Sequence, residues 1–263
     1  MPNALSISCI GAGNIAHHLV PALFNLGCEI QCVYSRKISH ARTLADLVKS
    51  KATSRVTRLP SDSELYLIMV PDDAIESVVS DLPPINKNAI IAHTAGAVGV
   101  NILKGITGNH GSFYPLQSFK KNIPTDLAKT PFLINANNAQ TERTLRSLAR
   151  KISRQVSVCT DEDRLKYHLA AVFVNNYINH LACITNDFLE VNDLNPEYIQ
   201  AIKESTFAKI LSSNPCAIQT GPAIRNDIKL QRKHLKLLKD FDNWSDVYKS
   251  ISKSIKNKYH ENR

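Results

Sequence analysis

A chain of 263 residues is longer than one ordinary domain of 100–150 residues and suggests two, and 43% hydrophobic against 21% charged residues excludes a mainly disordered state. The six cysteines, Cys9, Cys28, Cys32, Cys159, Cys183 and Cys216, are too sparse for a stapled secreted fold and lack zinc-site spacing, which fits a reducing cytoplasm. The net charge of +9 is spread along the chain, with 17 basic and 10 acidic side chains in residues 1–158 and 15 and 13 in residues 159–263; a nucleic-acid binder would concentrate it.

In chain order, short apolar runs alternate with helical patterns, the signature of a parallel sheet covered on both faces. Strands are predicted at Leu5–Ile10, Glu29–Tyr34, Leu65–Val70, Ala89–Ala92, Phe132–Ile134 and Gln155–Val158, and helices at Gly13–Leu26, Ser39–Ser50, Asp72–Ser80 and Ala139–Ile152. From Thr160, a plausible cap with Asp163 three residues on, the periodicity turns wholly helical. One long helix is expected from Glu162 to about Glu190, then helices near Pro196–Ser212, Arg225–Lys239 and Trp244–Lys256. The domains are therefore placed at 1–159 and 160–263. The fold class is α/β, a doubly wound parallel sheet followed by an all-helical domain.

No stretch before Gly11 is long enough for a signal peptide, so export is not expected. The low-charge run Leu169–Asn186 barely reaches the roughly 20 residues of a membrane span and contains Asn175, Asn176, Asn179 and His180. It reads as a buried soluble helix. Lys249, Lys253, Lys256 and Lys258 near the end suit a solvated helix face with Ile251 and Ile255 inward.

The first strand runs into Gly11-Ala12-Gly13-Asn14-Ile15-Ala16, a G-x-G-x-x-A loop opening a helix. Gly11 permits a tight turn, Gly13 lets the backbone approach a pyrophosphate, and Ala16 lets the helix pack on the sheet, so this is a candidate dinucleotide site. The second strand ends in Tyr34-Ser35-Arg36-Lys37 rather than in an acid. A hydroxyl and a bidentate cation suit a ribose 2′-phosphate, which favours NADP over NAD; ordinary solvated loop charges are the alternative. After the later strands, Val70, Pro71 and Ile75 are placed against ribose and nicotinamide, and Thr94, Ala95 and Gly96 leave room for the ring. His93 is read as a packed polar residue.

Several blocks together resemble a known family. They are His93-Thr94-Ala95-Gly96, Gly111-Ser112-Phe113-Tyr114-Pro115-Leu116-Gln117-Ser118-Phe119, His168 through Asn176, Glu204-Ser205-Thr206 with Lys209, and Gln219-Thr220-Gly221-Pro222-Ala223-Ile224-Arg225-Asn226-Asp227. They resemble the proteins that join a Rossmann-like domain to domain of unknown function 2520, related to pyrroline-5-carboxylate reductase, ketopantoate reductase and the 6-phosphogluconate-dehydrogenase-like NADP oxidoreductases. The resemblance implies a C-terminal helical domain that dimerises and a cleft between the domains. Many relatives carry His at the position of Tyr114. A phenol is a far weaker acid than imidazole at neutral pH, so no general-acid role is assigned to Tyr114.

Hydride transfer needs an acceptor held in place, a donor polarising its C=O or C=N, and a proton source. At 100° per residue His168, Asn175 and Asn179 share one helix face, with Asn176 and His180 beside it. Asn175 and Asn176 are substrate ligands or helix-packing pairs, and His180 reads as packing. Thr220 and Arg225, at an expected helix start, could hold a carboxylate or phosphate; a cap and a local Arg225–Asp227 ion pair is the plainer alternative. Asp161, Glu162 and Asp163 read as first-turn acids, and no metal site is expected. His168, Asn175, Asn176, Thr220 and Arg225 are therefore the candidate catalytic residues. The reading is an NADP(H)-dependent oxidoreductase acting on a small carbonyl or imine; the alternative is an NADP-binding sensor without turnover. Membrane and nucleic-acid partners are not expected.

Overall fold

The computed structural model describes residues 4–261. The chain divides into two compact units, Met1–Tyr177 and Ile178–Arg263. In the first, eight strands form one sheet: β1 (Ser6–Ile10), β2 (Glu29–Tyr34), β3 (Lys51–Thr53), β4 (Leu65–Ile68), β5 (Ile90–His93), β6 (Asn109–Pro115), β7 (Phe132–Ala136) and β8 (Val156–Val158), in the spatial order β3-β2-β1-β4-β5-β6-β7-β8. Every pairing is parallel except β6 with β7. That exception follows from the connection: only loop and one turn of 3-10 helix at Leu127–Lys129 join the two strands, and a parallel return usually needs a helical crossover.

Helices α1 (Asn14–Asn25), α2 (Ile38–Leu47), α3 (Ile75–Ser80) and α4 (Ala139–Ile152) flank the sheet. Successive strand residues point to opposite faces, so Leu65 and Leu67 join the core under α1, α2 and α4, while Tyr66 and Ile68 join the core that contains Ile75 and Val79 of α3. The helix expected from Asp72 instead begins as a 3-10 turn, and the Asp72 side chain makes no capping bond.

The last helix of the first unit, α5 (Asp161–Ala171), starts where the cap was read: Thr160 Oγ1 accepts the Asp163 N–H at 3.1 Å. Polar ties hold α5 to the sheet, which is why the compact unit runs past residue 159 to Tyr177. The long helix expected from Glu162 to Glu190 is interrupted. A π-helical stretch, Val172–Tyr177, separates α5 from α6 (Ile178–Val191). Nor is the run buried in the single chain, since Phe173 is 58% and Val174 69% exposed; apolar sequence reports a face that wants covering, not what covers it.

The second unit adds α7 (Glu197–Ser212), α8 (Ile228–Leu237) and α9 (Asp242–Lys256). The helix expected from Arg225 begins later because Asp227 caps it, its Oδ1 accepting the Leu230 N–H at 3.0 Å. On α9, Lys249, Lys253 and Lys256 are exposed while Ile251 and Ile255 line a groove; Arg263 lies outside the described residues. Among the described residues no helix is long and apolar enough to cross a membrane.

Candidate active site

The first unit carries two cavities at the carboxyl side of the sheet. One, of about 170 Å³, is lined by Gly11, Ala12, Gly13, Ser35, Arg36 and His40 together with Met69, Val70 and Pro71. Gly11 has φ +122°, and a Cβ there would collide with the Met69 carbonyl, so the bend requires glycine. Gly13 caps α1 without a side chain, leaving first-turn N–H groups for an anion. Arg36 is exposed at the rim. Asn14 Oδ1 accepts the Lys121 N–H at 3.3 Å, tying the segment after β6 to this helix start.

Six residues expected at this site do not line the cavity: Asn14, held by the Lys121 N–H, Gly96, which packs against His168 and Tyr114, and the four that follow. Ile75 is fully buried in the core, where it supports the cavity wall without lining it. Ile15 packs against the opposite core. Thr94 is buried and donates to the Ile68 carbonyl at 3.4 Å, and Ala95 is buried beside it. His40 joins the cavity although nothing marked it in the sequence, because its position depends on how α2 starts.

The second cavity, about 790 Å³, takes its polar groups from Tyr114, Gln117, Ser118, His168, Asn175 and Asn176 and its apolar wall from Leu116, Val172 and Val174 among others. Three of the expected catalytic residues therefore meet on one surface, but not by the expected geometry. A straight α-helix groups His168 with Asn175 and Asn179; the wider π turns shift the phase, so Asn176 joins them and Asn179 does not. The Tyr114 hydroxyl lies 3.1 Å from His168 Nδ1. Burial pushes the Tyr114 phenol up to about 12, so it stays protonated at neutral pH. Gly96 makes this approach possible, since a Cβ on it would stand 2.6 Å from His168 Nδ1 and 3.0 Å from Tyr114 Cζ.

Behind the pair lies a clamp that sequence reading missed. The Arg164 side chain is 1% exposed and pairs with Asp161 Oδ1 at 2.7 Å. It also donates to the Gly96 carbonyl at 3.2 Å, to Ser112 Oγ at 2.9 Å and to the Val98 carbonyl. Asp161 is thus more than a first-turn acid, accepting in addition the Val100 N–H at 2.9 Å and Asn135 Nδ2 at 2.8 Å. Burial opposes its ionisation, but these hydrogen bonds outweigh that and hold the carboxyl below its ordinary range. The only hint in the sequence was the i, i+3 pairing of Asp161 with Arg164.

His93 is fully buried, as read, with Nδ1 accepting the Ala95 N–H at 3.2 Å and Nε2 without a partner among the described residues. Burial, with Arg164 nearby, lowers it from 6.5 to about 4. Between those values the unfolded chain binds the proton and the folded one does not, so stability falls as pH falls through that window. The expected loss is up to about 3 kcal/mol. Burial lowers His17 and His110 too, so His93→Asn should flatten only part of the pH dependence measured by urea unfolding.

The remaining expected site residues belong to the second unit. Thr220 lines that unit's apolar groove with Leu181, Phe188, Leu237 and Trp244. Arg225 is exposed on the turn before α8, and Asp227 caps that helix; among the described residues no Arg225–Asp227 ion pair and no side-chain cap bond from Thr220 occur. Glu204 accepts from Gln200 rather than meeting Lys209.

Comparison with known proteins bears on this site. A Rossmann-like domain model matches residues 1–117, and that of the domain of unknown function DUF2520 matches residues 130–255. No curated protein matches the chain. Among solved structures, a Bacteroides fragilis protein named as a candidate NADP oxidoreductase is 31% identical over 97% of this chain and 98% of that one, with a TM-score of 0.89. A Thermotoga maritima protein is 24% identical over 95% and 98%, with a TM-score of 0.77. An imine reductase from Myxococcus stipitatus in complex with NADP+ is 13% identical over 97% and 93%, with a TM-score of 0.66, a likeness of fold.

Proposed function

The chain belongs to the family that joins a Rossmann-like domain to DUF2520, and on that premise we propose that it is an NADP(H)-dependent oxidoreductase that reduces a small carbonyl or imine compound. The observation that carries the reading is the cradle at Gly11 and Gly13, closed against side chains by the Met69 carbonyl and rimmed by Ser35 and Arg36. Its residues fit a dinucleotide: backbone donors and a helix start suit the pyrophosphate, and a hydroxyl with a guanidinium suits a 2′-phosphate. When bound, the coenzyme would supply a hydride.

The chain's own residues would supply the proton and hold the acceptor. In the tautomer that carries its proton on Nε2, the neutral ring would accept from Tyr114 at Nδ1; with the ring doubly protonated, Nδ1–H would donate to the Tyr114 oxygen instead. Either way one N–H remains to polarise the acceptor. The protonated ring gives its Nε2 proton to the acceptor oxygen or nitrogen as hydride reaches the carbon, which balances a two-electron reduction. Asn175, Asn176 and Gln117 would orient the acceptor.

Arg36→Glu is expected to weaken NADPH binding at least tenfold while changing NADH binding little, since a charge-assisted bond is worth about 1.5–3 kcal/mol. Fluorescence titration with both coenzymes checks this, and equal loss for both would remove the 2′-phosphate assignment. Incubation of the protein with NADPH and a panel of ketones, keto acids and cyclic imines tests the enzyme reading through loss of reduced-coenzyme absorbance. Coenzyme binding without turnover of any acceptor would overturn it. The exposed Tyr198, Phe207 and Leu211 of α7 support a homodimer through the second unit, measurable by light scattering.

A further inference from the structure

The cavity at Tyr114 and His168 differs from a site for an acidic metabolite in one respect: among the described residues neither Lys, Arg, Asp nor Glu lines it. We propose that the acceptor taken there is an electrically neutral carbonyl or imine compound, bearing hydroxyl, amide or ester groups and an apolar flank, and not a carboxylate or a phosphate. This rests on the oxidoreductase reading above and narrows it to a substrate class.

Two cations near the cavity are engaged elsewhere, and two more stand outside its lining. The Arg164 guanidinium is spent on Asp161, Ser112 and the carbonyls of Gly96 and Val98. Lys166 turns to Glu162 at 2.7 Å and Asp163 at 3.3 Å. Lys120 and Lys121 lie on the segment whose backbone meets His18 and Asn14 beside the coenzyme cradle, and neither lines the cavity. His168 is the remaining basic group, with Nδ1 held by Tyr114 and its one free N–H needed at the reacting oxygen or nitrogen.

An anion held in this space would gain no counter-charge from the lining, which a neutral molecule does not need. The polar lining suits a neutral guest for a second reason. Asn175 and Asn176 each carry both a donor pair and an acceptor, and Gln117, whose Oε1 accepts the Ser118 N–H at 2.8 Å, adds a further donor pair, so an alcohol, amide or ester can be met on both counts. Leu116, Val172 and Val174 supply the apolar wall against which a hydrocarbon flank packs.

Matched pairs that differ in charge provide the test: methyl levulinate against levulinate, acetophenone against 4-acetylbenzoate, and the methyl ester of 1-pyrroline-5-carboxylate against the free acid. With NADPH at pH 7.5 the neutral member of each pair is expected to have at least tenfold higher kcat/KM, and Val174→Lys, which places a cation on the wall, is expected to shift the ratio toward the acids by tenfold or more. Calorimetric binding of the same pairs to the NADP+-loaded protein reads the preference without chemistry. If no compound is reduced yet the neutral members bind more tightly, the oxidoreductase reading fails and the charge preference stands. Acids that bind or react as well as their neutral partners overturn the proposal.

Discussion

Asp161→Ala is expected to destabilise the first unit by about 3 kcal/mol, at the low end of what removal of one partner costs a buried ion pair. The magnitude comes from what is left behind. Arg164 is 1% exposed, and without Asp161 its charge is compensated only by two carbonyls and the Ser112 hydroxyl. The low end applies because the Asp161 side chain is 34% exposed, so water replaces part of what is lost. The same turn of α5 offers a control: Glu162 meets Lys166 at the same 2.7 Å, but with both side chains mostly in solvent. Glu162→Ala should leave the urea midpoint where it is, because solvated pairs at equal distance contribute little. Equal effects of the two substitutions would mean that the clamp does not hold α5 to the sheet.

Most of the sheet was legible because buried parallel strands are largely apolar runs bounded by turn residues, as in Leu65–Ile68. Two strands were not: Lys51–Thr53, where three residues with one buried side chain carry no period, and Asn109–Pro115, whose Asn, His, Gly and Ser read as turn chemistry. Thr160 was legible as a cap, and Gly11 as a bend, because both act through local backbone geometry. The interruption at Val172–Tyr177 was invisible to a method that assigns faces at 3.6 residues per turn, and that same assumption misplaced Asn176 relative to His168.

The harder part of the site is tertiary. Tyr114 and His168 are 54 residues apart, and nothing local in either segment announces that they meet. Read alone, Tyr114 is a poor acid; read with His168 beside it, it is a hydrogen-bond partner for one ring nitrogen. Arg164 was passed over for a related reason. A basic residue in the first turns of a polar helix reads as solvated, and only the loop Gly96–Val100 folding over it makes it a buried residue.

His168→Asn is expected to lower kcat/KM for any reducible acceptor by about 10²–10⁴, the usual worth of a positioned proton donor, while the NADPH dissociation constant stays within about twofold. The separation of effects follows from the two cavities, for His168 lines the second and none of the first. Tyr114→Phe should do less, roughly tenfold, because it removes the hydrogen bond that orients the ring and leaves the ring itself. It should also move the acidic or basic limb of the pH–rate profile, which a packing defect would not. Gly96→Ala supplies the steric version of the experiment: its Cβ would occupy the space of His168 Nδ1, so it should follow His168→Asn in turnover and the wild type in coenzyme affinity. Stopped-flow traces of NADPH oxidation with the three variants decide the matter. Full activity in His168→Asn would transfer the proton to another group and leave the Tyr114–His168 contact as packing alone.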